Sequence, residues 1–160
     1  RSIMSEKNRF LSEAIELARA NIGKGGRPFG AVLVRDGEVI ATAVNEIHAT
    51  NDPTSHAEMN AIRAASRKLG SPDLSGCDVY ASGHPCPMCL AAMRLSGVDK
   101  VFYAYSNEDG APFGLSTAAI YEDLARPFPA QSMTIRHVPV RLGSQADLYA
   151  EWAEAQGGLK

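Results

Sequence analysis

The chain has 160 residues, of which 45% are hydrophobic, and its formal net charge is -2. A chain of this size can bury one stable core, so we expect a single domain over residues 4–160. The weakly acidic balance disfavours nucleic acid as a partner, and no apolar run approaches the roughly 20 residues that cross a bilayer. Three cysteines are too few for a disulfide framework and indicate a soluble protein in a reducing, cytoplasmic setting. Residues 1–3, which precede Met4, are interpreted as a remnant of an expression vector.

The first half of the chain predicts a helix, a β-hairpin and a second helix. Apolar residues recur at helical spacing in residues 5–23, after the favoured N-cap Ser5. Residues 29–45 hold two β-branched runs on either side of Asp36 and Gly37, a pair that is common in tight hairpin turns. Residues 56–70 carry an alanine stripe and end on basic residues and glycine, as helices often do.

The second half of the chain alternates strands and helices. In chain order we predict a strand at 77–82, a helix at 86–97, a strand at 99–106, a short helix at 116–125, a strand at 132–140 and a closing helix at 144–156. Pro139 places the last of these strands at an edge of the sheet. Five strands interleaved with helices predict an α/β fold of three layers, in which helices cover both faces of a mixed sheet.

Two short motifs hold residues with metal-ligand chemistry. "HAE" at 56–58 opens the second predicted helix, and "PCPMC" at 85–89 opens the third. A catalytic zinc takes three nitrogen or sulfur ligands and leaves a fourth position open for water; His56, Cys86 and Cys89 supply three. Glu58 stands two residues from a ligand, where a carboxylate can carry protons to and from that water. The motifs together predict a hydrolytic site at which an amino group is replaced and ammonia leaves.

Each motif alone also has a simpler interpretation. A single CxxC pair in an intracellular protein fits a redox pair or half of a structural zinc site, and an isolated HxE triplet is common by chance. A structural zinc site needs a fourth protein ligand, for which Cys77, His48, His84 and His137 are the candidates. The two motifs in this order, both at predicted helix starts, favour catalysis.

In these residues the chain resembles the cytidine deaminase superfamily of zinc-dependent deaminases, in which HxE is followed by PCxxC. Within that superfamily, "RPFGAVLVRDGEVIA", "NDPTSHAEMNAI" and "PCPMCLAAM" are most similar to bacterial guanine deaminases. The tRNA adenosine deaminases and fungal cytosine deaminases are close relatives. The resemblance implies a cytidine deaminase-like fold and Zn²⁺ as cofactor. It also implies His56, Cys86 and Cys89 as metal ligands and Glu58 as the catalytic proton shuttle.

The same resemblance implies a set of substrate contacts and a partner. Asn45 matches an asparagine that hydrogen-bonds the substrate, Phe29 matches a pocket aromatic, and the Ala57 backbone would bond a base carbonyl or ring nitrogen. The alternatives are that Asn45 is a strand-end turn residue and that Phe29 belongs to the core. Members of the guanine branch form homodimers, often by exchanging C-terminal segments, so a homodimer is expected.

The chain departs from the guanine deaminase pattern around the expected pocket. Ser116 and Thr117 stand where an aspartate usually contacts the purine, and His84 replaces the usual glutamate before PC. The C-terminus lacks the aromatic residue that caps the pocket. Glu108 and Asp109, in an irregular loop, are candidates to recognise the base instead, unless they are simply solvated.

The predicted function is zinc-dependent hydrolytic deamination of a nucleobase or small amino-heterocycle. Guanine is the first candidate substrate, and cytosine or another nucleobase or nucleoside is the alternative. Deamination of adenosine in tRNA is the second alternative, because basic residues of the helix at 56–70 could contact phosphates. Acidic residues of the closing helix oppose RNA binding there. A zinc fold used only for binding is a third alternative, against which the presence of Glu58 argues.

Overall fold

The computed structural model describes residues 5–143 and 147–157. Contacts within the chain divide it into two units, Arg1–Ala125 and Arg126–Lys160. The proposed vector remnant at residues 1–3 lies outside the described residues, as do residues 4, 144–146 and 158–160 of the expected domain. A single domain over residues 4–160 therefore stays a prediction.

The first unit holds the sheet and the helices that cover it. Its helices are α1 (Glu6–Gly23), α2 (Ile47–Thr50), α3 (Ala57–Leu69), α4 (Pro87–Ser96), α5 (Asn107–Gly110) and α6 (Ala118–Leu124), with a 3₁₀ turn at Ala111–Phe113. Its strands are β1 (Gly30–Arg35), β2 (Glu38–Val44), β3 (Cys77–Gly83) and β4 (Lys100–Tyr105). The second unit contains a 3₁₀ turn at Phe128–Ala130 and helix α7 (Leu148–Ala155).

The sheet is mixed, with the strand order β2-β1-β3-β4. β1 pairs antiparallel with β2 and with β3, and β3 pairs parallel with β4 across the connection made by α4. At the β1–β2 turn, Asp36 and Gly37 have φ angles of 52° and 75°. Positive φ at both central residues is what a two-residue hairpin of the common type requires. The predicted hairpin is therefore confirmed.

Helices cover both faces of the sheet, as predicted. Alternate residues of β1 point to opposite sides, so that Ala31 and Leu33 pack with the alanine stripe of α3 and with α4. Val32 and Val34 pack on the other side against Phe10 and Ala14 of α1. The small side chains of α3, all fully buried at Ala57, Ala61 and Ala65, let this helix lie close to the sheet.

The longer predicted helices are confirmed at the ends where cap residues were recognised. The Ser5 hydroxyl accepts a hydrogen bond from the backbone N–H of Asn8 at 3.2 Å and caps α1. Gly70 ends α3 in the left-handed conformation, and Pro87 occupies the first turn of α4.

The predicted fifth strand at 132–140 is wrong. Within residues 126–143 and 147–157 there is no strand, and Val140 instead donates its N–H to the carbonyl of Val138 at 2.8 Å in a tight turn. Pro139 between them has no N–H to donate to a neighbouring strand, and its ring holds φ near -65°. The β-branched residues of this segment therefore do not form a strand.

Short elements and the closing helix were less predictable. Helices α2 and α5, of four residues each, were not predicted. The closing helix begins at Leu148, after residues 144–146 of its predicted range, which lie outside the described part. None of the helices in the described part is both long and apolar enough to cross a membrane.

Candidate metal centre and active site

His56, Cys86 and Cys89 meet at the N-termini of two helices. His56 is the N-cap of α3 and Cys86 is the N-cap of α4; both have extended backbones, and neither side chain caps its own helix. Cys89 follows in the first turn of α4 and is fully buried. Because helix N-termini carry partial positive charge, both sulfur atoms lie where negative charge is stabilised.

The distances between these three side chains fit a zinc ion. Nδ1 of His56 lies 3.4 Å from Sγ of Cys86 and 3.5 Å from Sγ of Cys89. With Zn–N near 2.0–2.1 Å and Zn–S near 2.3 Å, tetrahedral ligand atoms stand about 3.6 Å apart. The ligand atoms of the three residues all lie within 4.8 Å of one another. The donor set therefore matches a zinc site in residue types and in spacing.

The cluster contains three potential protein ligands in the described part of the chain. Among residues 5–143 and 147–157, the potential ligand cluster consists of His56, Cys86 and Cys89 without a further histidine, cysteine or carboxylate. Cys77, one candidate for the fourth position, is buried with the apolar residues of the sheet core. Three ligands suit a catalytic zinc better than a structural one, which is closed by four.

The thiols and the imidazole influence one another. A hydrogen bond with Cys89 lowers the pKa of the Cys86 thiol to about 4. The same hydrogen bond, and to a lesser extent burial, raises the pKa of the Cys89 thiol. The hydrogen bond with Cys86 raises the pKa of His56. Zinc binds thiolate and neutral imidazole, so metal binding displaces the protons that these groups hold in its absence.

Glu58 lies next to this cluster without belonging to it. Its side chain sits in the first turn of α3 and is only 7% exposed. Burial raises its pKa to about 7. A carboxyl group that titrates near neutrality can both accept and donate a proton during one reaction cycle.

The cluster opens into a cavity of about 130 Å³. The cavity is lined by Arg27, Phe29, Asn45, His56, Glu58, His84, Cys86, Gly114, Leu115, Ser116 and Thr117. Most of the predicted site residues are thus brought to one place. Ala57 is fully buried in the adjoining turn of α3, and the predicted role of its backbone stays a prediction.

Asn45 is held in the cavity wall by its neighbours. Its Oδ1 accepts a hydrogen bond from the N–H of Ile47 at 3.1 Å, and its backbone carbonyl accepts one from Asn21 at 2.8 Å. Its side chain is 2% exposed, and among the described residues Nδ2 has no hydrogen-bond acceptor. Asn45 therefore has a structural contact through oxygen and a free donor through nitrogen.

His84 is also held in a defined position. Its Nδ1 lies 3.0 Å from the carbonyl oxygen of Pro85, which makes Nδ1 the donor in that bond and leaves Nε2 as an acceptor in the neutral ring. The ring lies edge-on to Tyr103 and Tyr121, with centroids 4.8 Å and 5.4 Å away. Phe29 packs against Gly83 so closely that a Cβ at residue 83 would lie 3.2 Å from its ring.

Glu108 and Asp109 are not brought to the cluster. Both lie in the first turn of α5, and neither lines the cavity. The Asp109 carboxylate accepts a hydrogen bond from the N–H of Ser106 at 2.8 Å, while the Ser106 hydroxyl accepts one from the N–H of Asp109 at 3.1 Å. This reciprocal pair is a capping box. Asp109 thus has a structural task, and base recognition by either residue stays a prediction.

Arg27 lines the cavity although no sequence motif indicated a role for it. It precedes Pro28 and Phe29 in the loop between α1 and β1. The hydrogen bond with Cys86 raises the pKa of His56, and the positive charge of Arg27 opposes that rise. A single arginine before a proline does not indicate from sequence that its side chain lines a cavity. Only the packing of the loop against the end of β2 places it at the site.

Comparison with known proteins agrees with this geometry. Residues 4–105 match the family described as the cytidine and deoxycytidylate deaminase zinc-binding region. A guanine deaminase of Bacillus subtilis is 40% identical over 144 residues, which are 89% of this chain and 91% of that protein. A tRNA-specific adenosine deaminase of Aquifex aeolicus is 42% identical over 98 residues, 61% of this chain and 65% of that protein.

Among solved structures, a crystal structure of guanine deaminase from Bacillus subtilis covers 93% of this chain and 90% of its own, with a TM-score of 0.76 and 37% identity. The similarity therefore extends over nearly the whole chain in sequence and in fold. With its match to the family over more than half of its length, the chain belongs to the cytidine and deoxycytidylate deaminase zinc-binding family.

Proposed function

We propose that the protein hydrolyses the exocyclic C–N bond of a nucleobase or a small amino-substituted heterocycle, with guanine as the first candidate. The observation that carries the proposal is a buried Glu58 beside His56, Cys86 and Cys89, which are the three potential zinc ligands that come together among the described residues. The guanine deaminase relative, which matches 89% of the chain, supports guanine over other bases. Cytosine or another nucleobase or nucleoside is the alternative substrate.

In this proposal His56, Cys86 and Cys89 hold zinc, whose charge lowers the pKa of water and makes it a nucleophile near neutral pH. Glu58 accepts a proton from the attacking water and delivers protons to the ring nitrogen and then to the departing amine. Oxygen adds to the amino-bearing carbon, the C–N bond breaks, and ammonia leaves, so that an amidine becomes an amide. Phe29 and Asn45 orient the ring, by packing on its face and by donating a hydrogen bond.

Deamination of adenosine in tRNA is the second candidate, because curated tRNA-specific adenosine deaminases are similar to part of the chain. Their matches cover 61% and 67% of it, against 89% for the guanine deaminase. Arg63, a possible phosphate contact, is already hydrogen-bonded to Asn60 at 3.1 Å. A salt-sensitive gel shift with tRNA would favour this candidate.

We also propose that the protein is a cytoplasmic homodimer, and that exchange of C-terminal segments is the way in which it forms. Leu148, Tyr149 and Trp152 of α7 are each at least 65% exposed, which leaves apolar surface for a second copy to cover. The cysteines form no disulfide, as in a reducing compartment. Light scattering at several protein concentrations would give the mass in solution. A mass of 17.1 kDa, that of a single chain, at every concentration would exclude the dimer.

The proposed function is tested by an ammonia-release screen with zinc-loaded protein. The substrates are guanine, cytosine, adenine, isocytosine, their nucleosides, triazines and pterins. Release from guanine above the rate with the other rings supports the first candidate. Absence of release from all of them would contradict the proposed function.

Replacing Asn45 by alanine is expected to lower kcat/KM about 100-fold while zinc content stays unchanged, because one oriented donor to the reacting ring is lost. The loss of the bond from Ile47 should also lower the free energy of unfolding by about 1 kcal/mol. Asn60→Ala is the control, since it removes a hydrogen bond to the Val44 carbonyl at 3.0 Å outside the cavity. An equal kcat/KM in the Asn45 variant and wild type would make Asn45 purely structural.

Thr117→Val tests a polar group that lacks a partner in the protein. Oγ1 of Thr117 is a fully buried side-chain oxygen that makes no hydrogen bond with the described part of the chain, and the residue lines the cavity. Because an unsatisfied buried hydroxyl costs about 1–3 kcal/mol, valine is expected to raise the free energy of unfolding. If the hydroxyl bonds the substrate, kcat/KM falls about tenfold at the same time. A stabilised variant with unchanged kcat/KM would remove Thr117 from substrate binding.

A further inference from the structure

Arg27 places a positive charge at the cavity of the candidate active site. The residue lines the cavity that also contains Glu58 and the metal-ligand cluster. Within residues 5–143 and 147–157 its guanidinium makes no hydrogen bond and no ion pair. Glu58 is the single carboxylate among the residues that line the cavity. The positive charge of Arg27 is thus available to a ligand.

The backbone of Arg27 is held in place by buried contacts. Nδ2 of Asn21, a residue 3% exposed, donates to the carbonyl of Arg27 and to that of Asn45, each at 2.8 Å. Gly26 permits this approach, because a Cβ there would overlap the Asn21 side chain. Pro28 restricts the backbone of the residue before it to extended conformations. The backbone of Arg27 is therefore fixed relative to Asn45 at the end of β2, because Asn21 bonds to both residues.

Two further polar groups that line the cavity have donors that the described residues do not use. Asn45 has a free Nδ2, and Thr117 has a hydroxyl without a hydrogen bond. The guanidinium of Arg27 and the amide nitrogen of Asn45 can only donate, whereas the Thr117 hydroxyl can donate or accept. An oxygen with negative charge satisfies such donors best, since charge-assisted hydrogen bonds to a guanidinium are stronger than neutral ones.

We infer that the enzyme prefers amino-heterocycles that carry an anionic oxygen group, a carboxylate on the ring or a phosphate ester, which Arg27 binds beside the cavity. The inference rests on the proposed deaminase function and specifies its substrate class. Arg27 acts here as a specificity-determining residue, and the neutral ring of the same skeleton is the poorer substrate.

The test compares matched pairs of substrates with the zinc-loaded full chain. Pterin and pterin-6-carboxylate differ by a ring carboxylate, and guanosine and guanosine 5′-monophosphate differ by a phosphate ester. In wild type the anionic member of at least one pair is expected to have about tenfold higher kcat/KM. Arg27→Gln should bring that ratio towards one, and Arg27→Lys should restore part of it. Arg67→Gln, which removes an exposed cation at the end of α3, is the control for net charge.

A binding measurement separates this inference from the proposed function. Lumazine-6-carboxylate and lumazine, which lack the amino group and do not react, are titrated calorimetrically into wild type and Arg27→Gln. Tighter binding of the carboxylate that depends on Arg27 and weakens with salt supports the inference even if no ring releases ammonia. The inference is overturned if neither substrate pair nor the lumazine pair shows an Arg27-dependent preference, or if Arg67→Gln has the same effect. Dependence in one pair alone identifies the carboxylate or the phosphate as the recognised group.

Discussion

Glu58→Gln is expected to abolish ammonia release while the protein keeps its fold and its zinc. Glutamine has nearly the shape of glutamate but cannot accept the proton of the attacking water or return it to the leaving amine. Loss of general acid–base catalysis alone lowers kcat by about 10²–10⁴-fold, and one group that serves several proton transfers should lie at the upper end. The measurements are kcat with a substrate from the screen and zinc content by mass spectrometry.

The fold of this variant should be unharmed because Glu58 lies in a buried position where its charge is already disfavoured. Burial raises the pKa of Glu58 to about 7, so the neutral amide replaces a carboxyl group whose charged form is already disfavoured by burial. Glu46→Gln is the matched control, since Glu46 is exposed and does not line the cavity. If Glu58→Gln turns over near the wild-type rate, Glu58 is not the proton carrier.

The second large effect is expected from Cys86→Ala and from Cys89→Ala, each of which should lose zinc together with activity. Two remaining ligands hold zinc far more weakly than three, and the metal binds the folded chain. At a zinc concentration 1,000 times the wild-type dissociation constant, the metal contributes about 4 kcal/mol to the free energy of unfolding, and the variants lose this contribution. Zinc content and thermal unfolding with and without added zinc check both parts.

Cys77→Ala provides the control for these variants within the same chain. Cys77 is a fully buried thiol in the sheet core, outside the metal-ligand cluster. Its replacement removes one core sulfur and should cost about 1 kcal/mol of unfolding free energy, with zinc retained. Full zinc occupancy in Cys86→Ala or Cys89→Ala would show that the replaced cysteine is not a ligand. Loss of zinc in Cys77→Ala as well would mean that loss of zinc from the other two variants can result from lower fold stability and does not identify a ligand.

The parts of the fold that were predicted correctly are those with local signals. Ser5 marks the start of α1, the Asp36–Gly37 pair marks the hairpin, and Pro87 marks the first turn of α4. Each acts on backbone angles or hydrogen bonds within a few residues, so tertiary packing does not need to be known. The strand at 132–140 was predicted from β-branched composition, a weak local preference that depends on a partner strand.

In the candidate site, too, the residues that could be predicted are those with a local sequence motif. The spacing within "HAE" and "PCPMC" indicated the zinc ligands and Glu58, because zinc coordination in proteins uses few residue types in short motifs. Glu108 and Asp109 were weighed by charge alone, and the structure engages Asp109 in capping a short helix. Arg27 was not considered, because its place at the cavity depends on hydrogen bonds that Asn21 donates to Arg27 and to Asn45 at the end of β2. The sequence around Arg27 does not reveal these contacts.

The sequence by itself determined the family and predicted the zinc ligands and the proton carrier, because metal chemistry restricts these positions to few residue types in a short motif. Only the tertiary structure decided which other side chains share the cavity and which of their polar atoms lack partners. The guanidinium of Arg27 and the hydroxyl of Thr117 line the cavity and make no hydrogen bond with other described residues. Which polar atoms are left without partners depends on contacts between segments far apart in the chain, which a short motif does not encode.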